Sequence, residues 1–149
     1  MIYIGIDPGA SGGLGWVNDE EDEFGKESFA KMTEREIALL IKDLTYISSE
    51  TPCAVIELVH SSPQMGVKSA FTFGRSYGFL RGVLASHMIA YVEVRPQAWQ
   101  KAMGCLTKGD KNVTKALAQQ LYPGEKVTHA TADALLLATY ARRHHKDLF

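Results

Sequence analysis

Three carboxylates in this chain keep company that carboxylates ordinarily avoid. Asp7 ends the apolar run Ile2–Ile6, Glu57 ends Cys53–Ile56, and Asp133 interrupts the largely apolar stretch Ala130–Ala138. An ionised side chain in such surroundings is costly unless it is paired, hydrogen-bonded or bound to a cation. Two of the three have a plain structural alternative. Asp7 precedes Pro8-Gly9 and suits a turn, and Asp133, near a helix start, is favoured by the helix macrodipole. Glu57 is harder to explain that way, and three such acids, widely separated in sequence, read best as converging on one cation. All-oxygen ligation suits magnesium, or manganese, rather than zinc. Two such ions roughly 3.5–4 Å apart activate a water on one side of a phosphorus and stabilise the leaving oxygen on the other. The chemistry to expect from these acids is metal-dependent cleavage of a phosphodiester.

The elements that must position them are legible in the pattern. Ile2, Ile4 and Ile6 alternate with Tyr3 and Gly5, which predicts a strand ending at Asp7. Pro8–Gly13 reads as a turn and Leu14–Val17 as a second strand. The acidic stretch Asp19–Glu23 reads as a hairpin tip, followed by a third strand near Phe24–Phe29. Thr33 with Glu36 forms a capping-box pattern, and Ile37, Leu40, Ile41, Leu44 and Ile47 then fall at helical spacing. Cys53–Val59 is a buried strand carrying Glu57. A long helix is predicted from about Val67 to His87, then a strand over Ile89–Val94 and a short helix opened by Pro96 and containing Trp99. A further helix spans Asn112–Leu121 and stops at Pro123-Gly124, and the last begins near His129–Thr131 and carries Asp133. Hairpin-like strands followed by alternating strands and helices predict an α/β protein, a mixed five-stranded sheet flanked by helices.

Composition agrees. A chain of 149 residues with 46% hydrophobic and 22% charged content suits one compact domain over 1–149, with no internal repeat or low-complexity tract. No apolar run approaches the roughly 18–20 residues needed to span a bilayer, and Met1–Asp7 lacks the basic and long apolar regions of a signal peptide. A cytoplasmic setting is expected, without association with a membrane. Cys53 and Cys105 fit neither a C-x-x-C nor a zinc pattern and read as buried, reduced thiols. The net charge of −1 conceals an uneven distribution. From Ser28 onward there are 15 Lys/Arg against 10 Asp/Glu. Between Lys68 and Lys115 eight basic residues, Lys68, Arg75, Lys108 and Lys111 among them, face only Glu93 and Asp110. Such a surplus can neutralise phosphates and release counterions, or simply be a solvated surface.

Four motifs in order carry a resemblance. Ile4-Gly-Ile-Asp7-Pro-Gly-Ala-Ser-Gly-Gly-Leu-Gly15 resembles the opening strand and turn of RuvC-like Holliday-junction resolvases, members of the RNase H-like superfamily. Val55-Ile-Glu57-Leu-Val-His60, with Gln64–Val67 and Phe73–Gly78, resembles the small, phage-type branch of that family. Val94-Arg-Pro-Gln-Ala-Trp99 and His129-Ala-Thr-Ala-Asp133-Ala-Leu-Leu-Leu-Ala138 complete the pattern, which covers nearly the whole chain. The resemblance implies an RNase H-like fold and a homodimer that resolves four-way and branched DNA junctions with magnesium, two ions per site, leaving 5′-phosphate and 3′-hydroxyl ends. It implies Asp7, Glu57 and Asp133 as catalytic metal ligands, in the cytoplasm of a bacterial or phage-infected cell or in an organelle. Many relatives carry an acid or histidine three residues before the last aspartate, where this chain has Ala130. His129, four before, shares a helical face with Asp133 and is the candidate fourth ligand or water-orienting base.

The family also places lysines near scissile phosphates where Lys108 and Lys111 stand, and relatives present residues to the junction core where His60–Gln64 stands. Gly74, Gly78 and Gly82 recur every four residues in the long helix, each costing about 1 kcal/mol against alanine. They mark either the dimer interface or close packing on the chain's own sheet. Trp99 reads as core rather than as a base-stacking platform. The rival readings are a nuclease of the same fold specific for RNA–DNA hybrids or flaps, a junction-binding protein without cleavage, and an actin-like or sugar-kinase ATPase. The last would need two domains and a nucleotide cofactor, and this chain is too short for it.

Overall fold

The computed structural model describes residues 1–149. Three strands, β1 (Ile2–Asp7), β2 (Gly13–Asn18) and β3 (Phe24–Ser28), form an antiparallel meander. After α1 (Glu34–Ile47) come β4 (Cys53–Glu57), α2 (Val67–Ser86) and β5 (Ala90–Val94). Helices α3 (Pro96–Ala102), α4 (Asn112–Leu121), α5 (His129–Arg143) and α6 (His145–Leu148) complete the chain. The sheet order is β3-β2-β1-β4-β5, with β4 parallel to both β1 and β5. This is the mixed five-stranded sheet the sequence predicts.

Strand alternation sorts the side chains between two layers. Ile2, Ile4 and Ile6 meet Ile37, Ile41, Leu44, Leu80 and Leu84 of α1 and α2 on one face. Tyr3, Cys53 and Val55 point to the other face, under α5 and the helices beside it. The odd-numbered set includes Asp7 and Glu57, so the pleat that builds the core also sends both acids to the α5 face. Register places them side by side: β1 pairs with β4 as Ile4 to Ala54 and Ile6 to Ile56, and one more step sets Asp7 beside Glu57.

Helix α5 is the central helix, with ten of its fifteen residues buried. It lies directly on two glycines that face each other across β1 and β2, Gly5 and Gly15. A Cβ at Gly5 would stand 2.2 Å from the Ala134 carbonyl oxygen, and one at Gly15 would stand 2.6 Å from the Leu135 amide. No side chain fits between helix and sheet there, and the close approach brings Asp133 down to the level of Asp7.

Most predicted boundaries hold, including the Thr33–Glu36 capping box of α1. A few move. Strand β4 stops at Glu57 instead of reaching Val59, although the Leu58 amide still donates to the Val94 carbonyl at 2.8 Å. Phe29 belongs to a 3-10 turn, Phe29–Lys31, rather than to β3. Helix α6 is a single turn, too short to leave a periodic signal. The glycine stripe of α2 does not pack on the sheet, because a Cβ on Gly74, Gly78 or Gly82 would meet nothing within 4 Å. Both cysteines are buried and unpaired. No helix is long and apolar enough to cross a membrane.

Candidate active site

Asp7, Glu57 and Asp133 meet at one end of the sheet, at the C-terminal ends of β1 and β4 and the first turns of α5. A cavity of about 350 Å³ opens there, lined by Asp7, Ser11, Lys111, His129 and Asp133. The β1–β2 loop curls tightly under it. Gly12 donates its amide to the Gly9 carbonyl at 3.0 Å, and a Cβ on Gly12 would stand 2.0 Å from the Asp7 carbonyl oxygen. Helix α5 starts at the rim because Thr128 and Thr131 cap each other reciprocally. His129, the first residue of α5, is exposed at the mouth, one turn before Asp133.

The acids are packed closely enough to disturb one another. Burial pushes the Asp7 carboxyl up to about 8, reinforced by the charges of Glu57 and then Asp133 and opposed by Lys111. Burial also raises Glu57, with the Trp99 indole N–H pulling it back and Asp133 pushing it further up. Asp133 is raised by burial too, countered by the Thr114 hydroxyl, Lys111 and His129. Its Oδ1 is buried without a hydrogen-bond partner. Mutually repelling carboxylates, one with an orphaned oxygen, form an anionic pocket that a cation would relieve. As placed, however, no three of the acid, histidine and cysteine side chains are arranged as a ready ligand cage. The donor set is open and all-oxygen but for His129. That suits magnesium, which keeps several of its waters and takes one or two carboxylates together with substrate phosphate oxygens.

The predicted basic residues part company here. Lys111 lines the acidic cavity and acts on all three carboxylates. Lys108 is exposed on the preceding turn, at φ 48°, and lines no cavity. Lys68 and Arg75 lie on α2 and flank the Gly9–Ala10 loop from outside, in two adjoining grooves rather than in the acidic cavity. His60 lies beyond the end of β4 in a groove of about 540 Å³ with Phe73, Arg95 and Gln97. Trp99 is fully buried, as expected of a core residue, but its indole Nε1–H donates to Glu57 Oε2 at 2.8 Å. The sequence does not predict that contact. The signal available in the sequence was general: a buried tryptophan needs an acceptor for its N–H.

Solved structures share this arrangement of elements. RuvC of T. thermophilus in complex with a Holliday-junction substrate superposes with a TM-score of 0.72, at 17% identity over 99% of this chain and 96% of that one. The fold is that of RuvC. A second Thermus thermophilus RuvC structure gives a TM-score of 0.68 at 19% identity, with the same coverage of both chains. The yeast mitochondrial Holliday junction resolvase Ydc2 gives 0.50 at 12% identity, over 94% of this chain and 78% of that one. No family model and no curated protein matches the sequence. The RuvC likeness covers the whole sheet and every helix that carries a candidate site residue, so the RNase H-like architecture expected from the motifs is the observed one.

Proposed function

We propose that this chain is a metal-dependent endodeoxyribonuclease that resolves four-way and branched DNA junctions. The observation that carries the reading is the meeting of Asp7, Glu57 and Asp133 at one end of the sheet of a RuvC fold, where Asp7 and Asp133 line a cavity together with Lys111 and His129. A RuvC of this fold has been captured on a Holliday junction, which supports branched DNA as the partner.

Asp7, Glu57 and Asp133 would hold magnesium or manganese, two ions per site, with His129 as a further ligand or as the group that orients the attacking water. Bound there, the ions supply Lewis acidity, an activated water and neutralisation of charge on the leaving oxygen. The chain's own residues do the remaining work. Lys111 contacts the phosphate beside the acids, since its ammonium already lies within their field. Lys68 and Arg75 neutralise phosphates of the strand as it passes the Gly9–Ala10 loop, and Lys108 adds a solvent-side contact. The groove holding His60, Arg95 and Gln97 continues the strand's path beyond Glu57. Two copies are needed for two symmetric cuts, which supports a homodimer.

The test is cleavage of a four-way junction in magnesium. Asp7→Asn, Glu57→Gln and Asp133→Asn should each abolish it while leaving junction binding intact. Full magnesium-dependent activity in any one of them would remove that residue from the site.

A further inference from the structure

We propose that Trp99 is a positioning residue for Glu57: its indole N–H fixes one carboxylate oxygen so that the other is presented to the cation. The inference rests on the reading of Glu57 as a metal ligand and names what holds that ligand in place.

The geometry is specific. The Trp99 side chain is fully buried, and its Nε1–H donates to Glu57 Oε2 at 2.8 Å. No other hydrogen bond or ion pair reaches the Glu57 carboxylate, so Oε1 is left without a protein partner. A glutamate has three rotatable side-chain bonds, and an untethered one would sample many arrangements. A hydrogen bond to an ionised acceptor is shorter and stronger than a neutral pair, and this one is partly shielded from solvent. Indole is a donor only and does not titrate, so the restraint persists whatever the protonation of its neighbours.

The donor is itself immobile. Trp99 packs in the same core cluster as Val55, Cys105 and Leu136, under α5. Its backbone amide donates to the Arg95 carbonyl at 3.3 Å, and its carbonyl accepts from Met103 at 2.9 Å. Donor and acceptor are also tied through the sheet. Glu57 pairs with Val94 of β5, and the chain turns from there directly into α3, so Trp99 follows only five residues after that pairing. Helix α3 thus joins β1, β4 and α5 in positioning the acids of the site. Partners of this kind behind a ligand typically account for about 10–100-fold in metal affinity or activity.

Trp99→Phe keeps a buried aromatic ring and deletes the donor, along with the volume of the indole's second ring. Calorimetric titration of the full chain with manganese should show affinity falling roughly tenfold or more. The magnesium concentration for half-maximal junction cleavage should rise by the same factor, with the rate at saturating metal close to wild type. A variant that melts earlier but binds manganese as wild type does would make Trp99 a core residue only, and would overturn the proposal. Glu57→Gln, titrated in parallel, separates the two claims: undiminished manganese binding there would sink the ligand reading itself. A measurement on the unmutated protein covers the case in which Trp99→Phe fails to fold. In nitrogen–proton spectra the Trp99 indole resonance should shift on magnesium titration while that of Trp16 stays still, and an unmoved Trp99 resonance would overturn the proposal.

Discussion

With no cation beside it, the Asp7 carboxyl keeps its proton up to about pH 8 in the folded chain, against the usual 3.8. Between those values the folded state binds more protons than the unfolded one. Stability of the metal-free protein therefore falls as pH rises from about 4 to about 8 and levels off above. Asp7→Asn removes the penalty. Its melting temperature without metal should exceed wild type at pH 8 by roughly 2–4 °C for each 1 kcal/mol relieved, and the gap should close near pH 4. Equal melting curves at pH 8 would mean that Asp7 is not strained. The lysines give a second contrast at this scale. Lys111→Ala should slow cleavage at saturating protein, because Lys111 lines the acidic cavity. Lys108→Ala should change chiefly binding, lowering the slope of its salt dependence by about one. Equal effects of the two on the rate would contradict their different placement. The three acids were legible because carboxylates among apolar residues demand an explanation. The Trp99–Glu57 bond was not, because it joins β4 to α3 across 42 residues and only the tertiary structure says which acceptor the indole finds.

Among the elements, helix starts and faces could be read directly, since caps and 3.6-residue spacing are local properties. Strand ends were less legible. β4 stops at Glu57 because only the Leu58 amide continues the pairing with β5, and Val59 has no counterpart. Glycines divided in a way the sequence alone did not show. The regular stripe on α2 drew attention, yet the pair that builds the site is Gly5 and Gly15, hidden inside strands. Gly5→Ala should destabilise the fold by about 1–3 kcal/mol or more, because its Cβ meets the backbone of α5 rather than a side chain that can yield. Gly74→Ala, on an exposed helix face with open space around it in the single chain, should be neutral or stabilising by up to about 1 kcal/mol for the isolated monomer. Chemical denaturation of both variants checks this, and the reverse order would mean that α5 does not rest on the β1–β2 glycines.

For the molecule as a whole, the proposed homodimer needs a surface, and α2 carries an exposed apolar face. Val67 and Phe71 are 89% and 72% exposed, and they fall on the same side of α2 as Gly74, Gly78 and Gly82. A self-complementary contact through this face would place two acidic cavities in one two-fold particle. Gly78→Leu should shift the protein toward monomer in sedimentation, with the circular dichroism spectrum unchanged, and should yield singly nicked junctions. A wild type that is monomeric at working concentration would remove α2 as the interface.

The central claim, junction cleavage by a three-carboxylate metal site, is tested most directly by incubating the chain with a labelled four-way junction, a flap, an RNA–DNA hybrid and plain duplex, each with magnesium and with EDTA. The account predicts that the junction is resolved into nicked duplexes in magnesium and left intact in EDTA. Asp133→Asn should bind the junction without cutting it. Preferential cleavage of the hybrid, cleavage in EDTA, or an active Asp133→Asn would contradict it.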